Sequence, residues 1–169
     1  MGRARLLIVL GLLGVAIAQA APSTLGAPRV AGVRAQAPSA GTFIRNVLDL
    51  RASRQYAKLW SKLHPAQQVF VSRDRFIACE MQKDEALGVV LNLVRFQVLR
   101  TNRENIRIPG TQRTRRSTNV RYRYTMRAAD ETIGPVTDNS HAVLVNGRWT
   151  WLVSPKDAAA YKAGRCRIS

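Results

Sequence analysis

The sequence predicts an α+β domain: helices first, then an antiparallel sheet, then one short helix. Three observations carry this expectation. Apolar residues recur at helical spacing from Phe43 to Cys79, and beyond Gly88 the period falls to two. Asn146-Gly147 then joins two alternating runs, the strongest short-range hairpin signal, because both turn residues must take positive φ. Helices gathered before a hairpin-rich sheet are expected to pack on one of its faces.

Each element has its own signal. From Gly41 onward, Phe43, Ile44, Val47, Leu48 and Leu50 fall on one side of a first helix. A second helix runs from Ser53, with Tyr56, Leu59, Trp60 and Leu63 making one apolar stripe. The residue before a proline is pushed out of the helical region, so this helix stops near His64, and Pro65 opens a short one, PAQQVF. His64 is therefore expected to finish a helix, where its charge suits the negative end of the dipole, and not to act as a chemical group. Ser72 is an N-cap for a fourth helix, RDRFIACEMQ, with Asp74 in the first turn. Residues 89–99 read as a long central strand, apolar on both faces; Ile106 and Ile108 mark a shorter one ended by Pro109-Gly110. In TRRSTNVRYRYTMRA, Val120, Tyr122, Tyr124 and Met126 point one way, and Arg115, Asn119, Arg121, Arg123 and Arg127 the other. The last strands are DNSHAVLV and RWTWLVS. Their turn sets the register: Val145 opposes Arg148, Leu144 opposes Trp149 and Ala142 opposes Trp151, with His141 on the face of Val143 and Thr150. Ser154 and Pro155 start a last helix that Gly164 can end.

A chain of 169 residues allows one domain with short appendages. Residues 1–20 read as a secretory signal: Arg3 and Arg5, then LLIVLGLLGVAIA, then Ala18-Gln19-Ala20 at a cleavage spacing. The rival reading, an uncleaved anchor, needs roughly 20 apolar residues, more than Leu6 to Ala18 supplies. No transmembrane helix is then expected in the mature chain, which is secreted or held in the cell envelope after cleavage near Ala20. Residues 21–40, rich in Ala, Pro, Gly and Ser, read as a disordered linker, and 41–169 as a single α+β domain. In an oxidising compartment Cys79 and Cys166 are expected to pair, which constrains the unfolded chain by about 4 to 5 kcal/mol in the chain-entropy model. Two separate buried thiols are the alternative. Removing Arg3 and Arg5 takes the formal charge from +17 to +15, a balance that suits anionic partners, although an arginine-rich codon composition produces the same skew.

Three features resemble the nuclear-transport-factor-2-like superfamily, in particular its small exported bacterial members: the stretch TFIRNVLDLRASRQYAKLWSKLHPAQQ, the long strands after it, and HAVLVNGRWTWLVSP at their end. The likeness spans about Gly41 to Pro155 and rests on Tyr56, Leu59, Trp60 and Leu63 in one helix and Asn146, Gly147, Trp149 and Trp151 in the hairpin. The resemblance implies N-terminal helices packed into a curved antiparallel sheet that forms a cone with a pocket. Many relatives have Gly-Asp before the tyrosine, where this chain has Arg54-Gln55. Enzymes of the superfamily place an Asp, or a His-Asp pair, inside the cone near a tyrosine. No such motif carries over, and the nearest residues are His141, Asp138, Tyr122 and Tyr124.

No kinase, phosphate-loop, Ser-His-Asp or zinc-protease motif occurs, and neither a metal site nor a cofactor is expected. The function expected first is noncatalytic binding of an anionic polymer or an anionic membrane surface. Arg115, Arg121, Arg123 and Arg127 are its candidate contacts, because guanidinium recognises phosphate and carboxylate in a bidentate fashion. Between Arg95 and Arg127 there are ten arginines and one acidic residue, Glu104. A solvated face that serves solubility competes with this reading. Export and the lack of a recognised nucleic-acid module count against nucleic acid. The alternative function is a small-molecule enzyme or carrier using the apolar pocket, with His141, Asp138, Tyr122 and Tyr124 as its candidates.

Overall fold

Ser39 takes an extended conformation and accepts the backbone N–H of Thr42 on its hydroxyl at 3.1 Å, which starts helix α1 (Ala40–Ala52). The computed structural model describes residues 38–87 and 91–167. The expected signal, 1–20, and the linker as far as residue 37 lie outside the described residues. Pro38 is tied down, since the Trp149 indole donates to its carbonyl at 2.5 Å. After α1 come α2 (Tyr56–Ser61), α3 (Pro65–Gln68) and α4 (Arg73–Leu87). Four strands follow, β1 (Leu91–Arg107), β2 (Thr114–Ala128), β3 (Glu131–Val145) and β4 (Arg148–Trp151), and then α5 (Pro155–Lys162). Among the described residues no helix is long and apolar enough to cross a membrane.

The sheet is an open antiparallel meander in the order β1-β2-β3-β4. Its helix-side face carries Val120, Tyr122 and Ala142, which pack with Phe43, Ile44, Val47, Leu59, Leu63 and Phe76 in the main core. Each such large side chain taken from water contributes about 1.5–3 kcal/mol before chain entropy is counted. A smaller apolar cluster, Ile108, Val143 and Leu152, sits on the other face at the β4 end. Gly41 lets α1 lie against β1, since a Cβ there would stand 2.7 Å from Val98 Cγ2. The β3–β4 hairpin has the expected register, with Asn146 and Gly147 at φ 49° and 76°. Ser154 caps α5, and Pro155 occupies its first turn, as expected.

Several boundaries differ from the sequence expectation. The second helix does not begin at Ser53. Arg54 turns the chain at φ 56°, and α2 starts at Tyr56. Leu63 lies past the end of α2, where it forms a parallel bridge to Trp151, with His64 N donating to Trp151 O at 2.9 Å. His64 is the N-cap of α3, and its Nδ1 accepts the N–H of Ala66 at 3.1 Å. That role needs a neutral ring, which reverses the expected helix-end cation. α4 runs to Leu87, five residues beyond the expected stretch, which ends at Gln82. The two expected strands at 89–99 and 106–108 are one strand, β1, carried through two bulges near Val94 and Leu99. β3 begins at Glu131, well before Asp138, because a further shift opposite Tyr124–Met126 accommodates Gly134 and Pro135.

Cys79 in α4 and Cys166 after α5 form a disulfide. Around it lies a charged network. The Glu80 carboxylate, 3 % exposed, receives Lys83 Nζ at 2.6 Å, the Tyr161 hydroxyl at 3.0 Å and Arg51 Nε at 3.4 Å. A second buried polar group, the Gln67 amide, donates to Pro109 O at 3.2 Å and accepts Val153 N at 3.0 Å. It thereby braces α3 against the segments that follow β1 and β4.

Candidate functional site

The two faces of the sheet differ in chemistry. On the outer face, strand pairing sets Arg100 directly across from Arg121, Gln97 across from Arg123, Arg95 across from Thr125 and Asn92 across from Arg127. Directly paired residues project from the same face, so Arg95, Arg100, Arg121, Arg123 and Arg127 form one exposed group. None of the five has a carboxylate within salt-bridge reach among the described residues. Simple alternation would send Arg95 and Arg100, five apart, to opposite faces. The bulge between Val98 and Arg100 inserts one residue and restores them to the same side.

Arg115 shares this face but stands apart. It pairs with Ile106, six residues from Arg121, or about 20 Å along an antiparallel strand. Between them lie buried Ser117, half-buried Asn119 and a hydrogen-bonded pair in which His141 Nε2 lies 2.7 Å from Glu104 Oε1. Hydrogen bonds from His141 and then from Asn119 hold the Glu104 carboxyl below the usual carboxylate range. The one acid of the 95–127 stretch is thus already engaged.

On the helix side, a cavity of about 780 Å³ opens between the helices and the sheet, with Ile44, Val47, Arg51, Tyr122, Tyr124 and Asp138 among its walls. Phe96, Tyr122 and Tyr124 form a row of rings with centroids 5.2 Å and 5.9 Å apart. The Tyr122 hydroxyl donates to Asp138 Oδ2 at 3.4 Å, and Asp138 Oδ1 accepts the N–H of Asn139 at 2.7 Å. Burial first, then the Asp138 charge, pushes both phenols up, so they stay protonated and neutral. Asp138 and His141 do not meet. They are three residues apart in a stretch of β3 without a bulge, so Asp138 projects beside Tyr122 on the helix side and His141 beside Asn119 on the outer side. All four residues considered for acid–base work line this cavity, but only Tyr122, Tyr124 and Asp138 come together there, while the His141 imidazole is engaged with Glu104. Among the described residues no group of three His, Cys, Asp or Glu side chains is placed to hold a metal ion.

Compared with known proteins, the chain matches no family model and no curated sequence. Sequence alternation alone does not place Arg95 and Arg100 on this face, because a bulge leaves no residue signature here. The Glu104–His141 pair was missing because its partners are 37 positions apart.

Proposed function

We propose that this protein is an exported, noncatalytic binding module of the nuclear-transport-factor-2-like class that holds a linear anionic polymer on the outer face of its sheet. The observation that carries the reading is the Arg100–Arg121 cross-strand pair, flanked by Arg95, Arg123 and Arg127 and lacking carboxylate partners among the described residues. Like charges directly opposite one another destabilise a sheet, and a bound polyanion converts that repulsion into attraction. Arg121 to Arg127 covers about 20 Å of strand, and strand twist turns the row as it runs, which suits a flexible chain better than a plane. Helices on one face of an antiparallel meander support the proposed class, and register shifts such as the three here are the kind of irregularity at which a strand bends. The Cys79–Cys166 disulfide supports export.

The test is a titration of the oxidised protein with long-chain polyphosphate across a salt series. Saturable binding whose affinity falls steeply and log-linearly with salt is expected, because each guanidinium–phosphate contact releases counterions. Absence of saturable binding would remove the proposal. Tight binding to anionic lipid vesicles with none to polyphosphate would replace the polymer by a membrane surface.

A further inference from the structure

The helix-side cavity carries charge opposite to that of the molecule. Three of the chain's ten carboxylates, Asp84, Asp138 and Asp157, line it, against only Arg51 and Arg107 of its 27 lysines and arginines. Most of these charges already have partners. Asp84 binds Arg54 Nε at 2.9 Å and the Tyr56 hydroxyl; Asp157 receives Lys83 at 3.3 Å; Arg51 is paired with Glu80. Asp138 is different. Its carboxylate meets only neutral donors, the Asn139 N–H and the Tyr122 hydroxyl, and no cation reaches it among the described residues. It remains exposed, so a ligand can reach it without rearrangement.

We propose that this cavity binds a small organic monocation, an ammonium or quaternary ammonium compound with an apolar body. Its charged head would lie between the Asp138 carboxylate and the rings of Tyr122 and Tyr124, and its body against the aliphatic wall of Ile44, Val47 and Leu48. Three features select this class. The volume, about 780 Å³, lies in the range of small-molecule pockets and far exceeds what a single hydrated ion needs. Aromatic faces are negative at their centres and attract cations, most strongly where water is partly excluded. The Asp138 charge, which helps to hold both phenols neutral, disfavours any second anion, so the polymer proposed for the outer face is not the ligand here.

The test compares hexyltrimethylammonium with 1-hexanol, two probes that share a six-carbon body and differ in charge. The oxidised protein and its Asp138→Asn variant are titrated with each by calorimetry. The ammonium is expected to bind at least about tenfold tighter than the alcohol. Asparagine keeps the size of the side chain and its acceptor for Tyr122, so the variant should lose that preference and bind both probes alike. Equal affinity for the two probes in the unsubstituted protein, no measurable heat with either, or an unchanged preference in Asp138→Asn would overturn the proposal. If the variant fails to fold, the comparison of probes on the unsubstituted protein decides the matter alone.

Discussion

His64 shows how one side chain can couple a local cap to solution pH. The imidazole is buried, its Nδ1 accepts the Ala66 N–H, and its Nε2 has no hydrogen-bond partner among the described residues. A proton on Nδ1 would set two N–H groups against each other and destroy the cap of α3. Burial first, then the charges of Arg115 and Arg113, lowers the pKa of this ring. The unfolded chain therefore takes up this proton near pH 6.5, whereas the folded chain takes it up only at lower pH. Stability present above about pH 6.5 is accordingly lost as pH falls toward the folded value. Urea midpoints at pH 7.5 and pH 5 should show this loss, and His64→Asn, which caps a helix without titrating, should show less of it. An identical pH dependence in the variant would assign the effect to other groups. The sequence located this residue at a helix boundary because Pro65 follows it. The cap's direction, and hence the sign of the charge argument, depended on which carbonyls and N–H groups lay nearby in three dimensions.

At the scale of elements, α4 illustrates packing that periodicity does not reveal. Glu80 is buried among Arg51 of α1, Lys83 of its own helix and Tyr161 of α5, so three elements share one carboxylate. Glu80→Ala leaves the Tyr161 hydroxyl without its acceptor and Lys83 with Asp157 as its remaining carboxylate. It should cost about 3 kcal/mol in urea unfolding, at the low end for a broken buried pair because Arg51 keeps access to water. A loss below about 1 kcal/mol would mean that the network contributes little beyond the neighbouring apolar core. The strands divide in the same way. The β3–β4 hairpin was legible because Asn146-Gly147 accepts few conformations, and the alternation in β2 was legible because its residues run without interruption. β1 was read as two strands because its bulges break the period, and they are also what brings Arg95 and Arg100 beside Arg121. The early part of β3 was missed because Gly134 and Pro135 look like punctuation, although an irregularity in the ladder accommodates them. For the candidate site, the row on β2 could be read directly, but its partners on β1 could not.

Over the whole molecule, the disulfide and the division of charge are the two organising features. Cys79 and Cys166 close a loop spanning 87 positions, with Cys79 in the main core and Cys166 packed against it. Replacing both by alanine should lower the free energy of unfolding by about 3 to 5 kcal/mol, seen as a lower urea midpoint. That is a large part of the 5–15 kcal/mol typical of a domain, so an unchanged midpoint would show that the chain does not depend on the bridge. Charge is spread unevenly over the molecule: Arg95, Arg100, Arg121, Arg123 and Arg127 cluster on the outer face, whereas three carboxylates, two arginines and the tyrosine rings line the cavity. The central claim is that the outer arginines act through their arrangement, and not through net charge. It is tested most directly by comparing two double variants of equal charge for polyphosphate affinity. Arg100→Ser/Arg121→Ser removes the cross-strand pair, whereas Arg103→Ser/Arg116→Ser removes two exposed arginines that pairing with Thr118 and Asn105, respectively, sends to the helix side. The account predicts that the first variant loses about tenfold or more in affinity at low salt and that its salt slope falls by about two, while the second stays close to the unsubstituted protein. Equal losses in both would reduce the outer face to bulk charge and contradict the account.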